Sequence, residues 1–307
     1  MLHLFIINPA AGSRDRTNDY SKRIHEACQS RGLDYEIYVS QGPGDCKAAA
    51  RAAAETGQEV KLYACGGDGT LNEVVDGAAG FDNAAVTVFS GGSGNDFTKL
   101  FDDPEAFRDI DRLLDSEEIT FDLIDCCGQK SLNICSVGLD ARIAADVANY
   151  KRLPLLSGFR AYVVSAAINI CRGISEHYRV ELDGEELDQE FTLICACNGR
   201  YYGGGFNPVP QADPTDGMMD VLLIKKVPLW KVPLVIGTYK NGKYQEISQY
   251  IRYVKTKAIT IHCDKDVPVN LDGEIVPAKD VRIAISNQKL RFFYPKGLTW
   301  SKTPVNV

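Results

Sequence analysis

From its amino end the chain alternates short apolar runs with segments whose apolar residues recur every three or four positions. Residues 2–7 form an apolar run that stops at Asn8-Pro9, the pattern of a buried strand closed by a turn. Tyr20, Ile24, Ala27 and Cys28 repeat at helical spacing, and Gly32 follows as a stop. Leu33, Tyr35, Ile37 and Val39 alternate with Asp34, Glu36 and Tyr38, which predicts a half-buried strand. An alanine-rich helix over 48–54 ends at Gly57. Then come a strand over 60–65, a helix over 71–79, a strand over 85–89 and a helix over 105–114. Strands separated by helices predict a doubly wound, parallel α/β domain.

After Ile119 the texture changes. Short strands are predicted at 120–127, 131–137, 177–182, 191–197, 219–225, 258–262, 281–285 and 290–294. Asp183-Gly184 and Asp272-Gly273 read as hairpin turns. Helices are expected at 141–149, 159–172 and 229–240. This half reads as an antiparallel β-sandwich with insertions. The domains are therefore placed at 1–125 and 126–307, with the last segment packing back on the first domain.

The length of 307 residues suits two domains, and 45% apolar with 24% charged residues suits a globular chain. No apolar run reaches the ~18 residues of a membrane-spanning helix. The first residues lack a basic leader, so a cytoplasmic location is expected. The ten cysteines form no Cys-x-x-Cys and no zinc spacing with histidine, and read as buried free thiols. The net charge of −7 argues against a nucleic-acid binder. Residues 1–125 hold 11 basic and 23 acidic side chains, and residues 126–307 hold 23 and 18. That asymmetry allows the second half to touch an anionic membrane surface transiently, with Lys225-Lys226 and 252–257 as its basic clusters.

Three glycine-rich loops follow three predicted strands. They are Asn8-Pro9-Ala10-Ala11-Gly12, Gly66-Gly67-Asp68-Gly69-Thr70, and Gly91-Gly92-Ser93-Gly94-Asn95-Asp96. In a parallel sheet all three sit at the carboxyl edge, where glycine admits a close ligand and helix amides bind phosphate. Neither the Walker A string nor Gly-x-Gly-x-x-Gly after the first strand is present. Thr70 fits two roles, phosphate contact or helix cap, with Glu73 completing a capping box. Asn95 and Asp96 fit either a ligand contact or the cap of a helix at Phe97. Asp122 and Asp125 read as solvent-facing. Asp68 inside a phosphate loop calls for a bridging magnesium ion or a part in deprotonating an acceptor hydroxyl.

The Gly66–Thr70 loop followed by Leu71-Asn72-Glu73-Val74 resembles the central motif of the diacylglycerol kinase catalytic-domain family, soluble bacterial lipid kinases related to sphingosine and ceramide kinases. The similarity runs over nearly the whole chain. It includes Asn133 to Asp140, Gly203-Gly204-Gly205 with Pro208, Asp216-Gly217 and Asp272-Gly273-Glu274. The Gly-Gly-Asp-Gly-Thr string alone is shared with NAD kinases and 6-phosphofructokinases.

The resemblance implies an ATP- and magnesium-dependent kinase that phosphorylates a lipid hydroxyl. It implies ATP contacts at Asn8, Gly12, Ser40, Gly66, Gly67, Asp68, Gly69, Thr70, Leu71, Asn72 and Ser93. Ser40 and Ser93 stand where the family usually has threonine. Glu274 would be the general base, with Asp68 beside the transferred group, and the two domains would meet at the reaction. Asp216, with main-chain carbonyls at Asp213 and Met218, would hold a structural magnesium ion. Residues 201–205 would sit at the domain cleft, and residues 153–170 read as a core helix or a pocket wall. The partners implied are ATP, a lipid and the inner membrane face; a homodimer is left open. Two other readings stay open: phosphorylation of a soluble hydroxyl compound in the manner of NAD kinases, and a non-catalytic nucleotide sensor.

Overall fold

The computed structural model describes residues 1–12, 14–92, 94–150 and 159–300, without side-chain detail at 148–150 and 159–163. Two units emerge. One holds Met1–Leu123, Tyr201–Gly205 and the chain from Ser286 onward; the other holds Ile124–Arg200 and Phe206–Ile285.

The first unit is a parallel α/β domain. Its elements run β1 (Leu2–Ile7), α1 (Thr17–Ser30), β2 (Tyr35–Val39), α2 (Asp45–Glu55), β3 (Val60–Gly66), α3 (Asp68–Ala78), β4 (Ala84–Ser90), α4 (Ile110–Leu114) and the start of β5 (Ser116–Cys126). β1 lies between β2 and β3, β4 flanks β3, and all these pairs are parallel. The strand order therefore reverses between β1 and β3, and the loops leaving those two strands flank the reversal. β13 (Glu274–Pro295) returns its end beside β4, also parallel, through Arg291 and Phe292. The apolar strand faces meet in an aromatic core: Phe5 stacks on Tyr63 with centroids 4.1 Å apart, and Phe97 meets Phe121 and Phe292 edge-on.

Two local expectations fail here. The helix expected over 105–114 is broken, because Asp109 is extended and its carboxylate caps the amides of Asp111 and Arg112 to start α4 afresh. Asp122 does not face solvent. It is fully buried and ion-paired with Lys289 on the neighbouring returning strand.

The second unit is an antiparallel β-sandwich. Its elements are β6 (Gln129–Ser131), β7 (Ile134–Gly138), α5 (Leu139–Tyr150), α6 (Phe159–Arg172), β8 (Glu176–Leu182), β9 (Glu185–Cys197), β10 (Met219–Lys225), α7 (Val232–Lys240), β11 (Ile251–Thr256), β12 (Ala258–Leu271) and the first part of β13. Two long strands bend from one layer to the other. The first half of β9 pairs with β8 and its second half with β7 and β10. β12 likewise pairs first with β8 and then, past an irregularity between His262 and Val267, with β7. The core between the layers is aliphatic, with Val180, Ile194, Val221, Ile261, Val269 and Ile283 buried.

The strand expected over 131–137 divides at Leu132-Asn133, whose amides turn to the Asp272 carboxylate. The strands expected at 281–285 and 290–294 are one strand, β13, that serves both units. β11 falls where a basic cluster had been read. Its Arg252 pairs with Glu185 at 2.6 Å and its Lys255 with Asp216 at 2.5 Å, so those two charges are matched within the chain. All ten cysteines are free thiols; eight are buried, while Cys127 and Cys171 are exposed. Residues 151–158 of the expected pocket wall lie outside the described residues.

Candidate active site

The three glycine loops converge in the first unit. The carbonyl of Gly66 accepts the amides of Gly91 and Gly92 at 2.7 and 3.2 Å, tying the loop after β3 to the loop after β4. The loop after β1 joins through Asn8, which donates to the Thr70 hydroxyl at 3.0 Å. Such contacts require bare backbone. A Cβ on Gly92 would stand 2.7 Å from Gly67 Cα, and one on Gly66 would run into the Thr70 side chain. Gly12 lies near the same loops at φ +86°, where a side chain would be strained. Gly69 is open, with nothing near its missing side chain.

α3 starts at Asp68, and its first helical bond is Leu71 N–H to the Gly67 carbonyl at 3.0 Å. The amides of Gly69 and Thr70 thus lie in the first turn, where an α-helix offers N–H groups to anions. Leu71 and Asn72 are buried in this first turn, and Asn72 Oδ1 has no hydrogen-bond partner among the described residues. Bare backbone and first-turn amides together fit a phosphate-bearing ligand. Ser40 is buried beside this helix pair, its amide bonded to the Ile7 carbonyl at 2.9 Å. Ser93 lies outside the described residues.

The capping box does not form. Thr70 sits within the helix, and Glu73 reaches across to accept the amides of Gly44 and Cys46 at 3.1 and 3.2 Å. Glu73 therefore caps α2 rather than its own helix. Asp68 is fastened from the third loop: its Oδ1 accepts the Asp96 amide at 2.6 Å, and a Cβ on Gly94 would stand 2.5 Å from its Oδ2. Asp96 does not cap the turn that follows it. Its carboxylate takes Lys99 Nζ at 2.5 Å and the Gly204 amide at 2.7 Å. Residues 201–205 therefore belong to the first unit. Asp96 and Lys99 are the site residues that sequence reasoning missed as a connected group. The signal was the acid directly after a glycine loop, followed three positions later by a base.

In the second unit Glu274 leaves a hairpin turn whose Asp272 and Gly273 have φ of 49° and 98°, a turn that favours Asp-Gly. Asp272 accepts the amides of Leu132, Asn133 and Ile134 at 2.7 to 3.0 Å. Burial nevertheless raises its carboxyl above the ordinary range. Asn270 accepts the Gly273 amide at 2.8 Å and also bonds Asp140. Asp140 takes the Ser136 hydroxyl at 2.8 Å, and burial pushes its carboxyl up to about 6. The turn is thus held by groups more than a hundred residues away in sequence.

The Asp213–Met218 segment carries Asp216. Its Oδ1 accepts the Met218 amide at 2.9 Å, and its Oδ2 lies 2.5 Å from Lys255 Nζ. Asp213 spends its own carboxylate on Thr215. Nearby Asp220 is raised by burial and receives the Tyr253 hydroxyl at 2.7 Å. Among the described residues no group of three His, Cys, Asp or Glu is placed to hold a metal ion. A single carboxylate matched by an internal ammonium does not fit a magnesium ion unless Lys255 moves.

Residues 3–126 match the diacylglycerol kinase catalytic domain, and residues 133–294 match the "YegS C-terminal NAD kinase beta sandwich-like domain". A Bacillus subtilis (strain 168) protein provisionally named lipid kinase YtlR is 26% identical over 308 residues, covering 94% of this chain and 97% of its own. A provisionally named lipid kinase of Staphylococcus carnosus (strain TM300) is 27% identical over 76% of each chain. The crystal structure of a diacylglycerol kinase from Bacillus anthracis (strain Sterne) superposes with a TM-score of 0.68 at 20% identity, covering 97% of this chain and 98% of that one. At that identity the likeness speaks for the fold.

Proposed function

The chain belongs to the diacylglycerol kinase catalytic-domain family, and from that premise we propose that it transfers the γ-phosphoryl group of ATP to the hydroxyl of a lipid. The observation that carries the reading is the convergence of three side-chain-free loops on the open end of α3. Those amides take the nucleotide phosphates, with Asn8 and Thr70 fixing the loop and Asn72 buried in the same first turn. Gly12, Ser40, Gly66, Gly67, Gly69 and Leu71 shape this half of the site, and Ser93 is assigned to it from sequence alone.

Asp68, held by the Asp96 amide, would hold the magnesium ion that accompanies ATP, and that ion would supply neutralisation of the phosphate charge. Glu274 takes the proton of the acceptor hydroxyl as the phosphoryl group moves. Asp272, Asn270 and Asp140 are positioning residues, since they hold the turn that carries Glu274. No magnesium ion is assigned to Asp216, Asp213 and Met218, because Lys255 already neutralises the Asp216 carboxylate.

Glu274→Gln tests the base. Turnover should fall by ~10²-fold or more while ATP affinity stays within about twofold. Turnover near the wild-type level would remove Glu274 from the chemistry.

A further inference from the structure

Among the described residues most large apolar side chains are buried, and four of the six large exposed ones fall within eight residues. Leu229, Trp230, Leu234 and Ile236 are 61, 77, 60 and 41% exposed. They lie on the turn before α7 and on its outer side, while Val232, Val235 and Tyr239 are buried on the inner side. Trp230 and Leu234 are one helical turn apart in sequence, so they share a face. An ordinary solvated helix would carry polar residues there.

The charges of the chain segment that carries this patch have one sign. Residues 221–245 contain Lys225, Lys226, Lys231, Lys240 and Lys243 and no acidic residue. Those five lysines equal the whole basic excess of residues 126–307. Lys231 lies over the rings of Trp230 and Tyr250 at 4.8 and 5.2 Å, and Lys240 over Phe206 at 5.5 Å, each stem laid along apolar surface with its ammonium at the rim. Among the described residues Lys226 alone of the five makes a direct ion pair, with Glu190 at 2.7 Å. Among the described residues no helix is long and apolar enough to cross a membrane.

We propose that the Leu229–Ile236 face is the surface by which this protein seats on an anionic bilayer, with Trp230, Leu229 and Leu234 entering the headgroup region and the lysines meeting lipid phosphates. This deepens the lipid-kinase reading and rests on it for its purpose, though not for its physics. A Trp flanked by leucines suits the interface between water and hydrocarbon. Lysines around it add affinity of about fivefold each near an anionic surface, and that part is weakened by salt. A second copy of the chain is the rival occupant; five like charges around the patch oppose self-association.

Co-flotation with vesicles, without ATP, provides the test. The wild-type protein should float with phosphatidylglycerol-rich vesicles and not with pure phosphatidylcholine. Trp230→Glu combined with Leu234→Glu should weaken flotation by about tenfold or more, since both positions are exposed and the fold is untouched. Circular dichroism and Tm confirm the fold. In a Trp300→Phe background, Trp230 emission should shift to the blue on adding anionic vesicles. Undiminished flotation of the double variant, equal binding to neutral vesicles, or absence of vesicle binding would overturn the proposal. So would a wild-type dimer in sedimentation that the double variant abolishes. Turnover on a water-dispersed short-chain diacylglycerol should be the same in both proteins. Absence of turnover in both would strike the kinase reading and leave the docking result standing.

Discussion

Around Gly67 and Gly92 the first unit withholds side chains, whereas the Glu274 hairpin of the second unit depends on them. The glycine loops are backbone packed on backbone, with one carbonyl, that of Gly66, serving two amides of the facing loop. The hairpin is held by side chains: Asp272 reaches the amides of Leu132 and Ile134 far away in sequence, and Asn270 ties Gly273 locally while bonding Asp140. The first arrangement tolerates almost no added atom. The second tolerates shape changes but not loss of an acceptor, because buried amides would be left unpaired.

Substitutions separate the two designs, and the largest effect should come from the loops. Gly92→Ala places a methyl against the Gly67 backbone, which neither loop can absorb by rotating a side chain. ATP affinity, read by calorimetry, should fall by about tenfold or more, the cost of displacing one phosphate-facing segment. Wild-type affinity would show that the loops are not the phosphate cradle. Asp272→Ala should be felt in both stability and turnover. Three amides lose their acceptor, at about 1–3 kcal/mol for buried groups left unpaired. Tm should drop by several degrees, and turnover more than ATP affinity. An unchanged ratio of the two would deny Asp272 its positioning role.

A third experiment probes the cation in the second unit. With Lys255 already at 2.5 Å from Asp216, Tm of the wild-type protein should not respond to magnesium, whereas Lys255→Met should become magnesium-stabilised. A wild-type magnesium response lost in Asp216→Ala would mean that the ion displaces the lysine.

The smallest effect concerns Asp140. Its carboxyl is raised to about 6 in the folded chain by burial, above the ordinary 3.8. The folded state therefore holds this proton more tightly than the unfolded chain does. The penalty of the buried charge is absent below the unfolded pKa and develops as pH rises through the folded one. Relative to Asp140→Asn, the wild-type Tm should rise by about 2–4 °C between pH 7 and pH 4.5. No pH dependence of that difference would mean that Asp140 titrates normally.

The same contrast explains what the sequence made readable. Glycine strings after apolar runs announce backbone approach, and the alternation of strands and helices in the first 125 residues places them at one sheet edge. Both domains' fold classes were legible for that reason. Long-range side-chain bonds leave no local pattern. Glu73 fits a capping box on paper, yet its carboxylate caps α2 instead, because the neighbouring helix brings two open amides within reach. Asp122 alternates with apolar neighbours like any surface residue, and only the pairing of β5 with the distant Lys289 strand buries it. β11 was hidden by its charges, which are neutralised across strands by Glu185 and Asp216. The acid–base pair of Asp96 and Lys99 was in view. Its connection to Gly204, more than a hundred residues on, was not.

The central claim is phosphoryl transfer to a lipid hydroxyl, and the most direct measurement is label transfer from ATP carrying a labelled γ-phosphate. The purified protein is offered a panel of diacylglycerol, monoacylglycerol, sphingosine, ceramide and phosphatidylglycerol in vesicles, beside NAD in solution. The account predicts a labelled phospholipid from at least one lipid, dependent on magnesium and lost in Glu274→Gln, with no labelled NADP. Label on NAD alone, or tight ATP binding with no transfer to any acceptor, would contradict it.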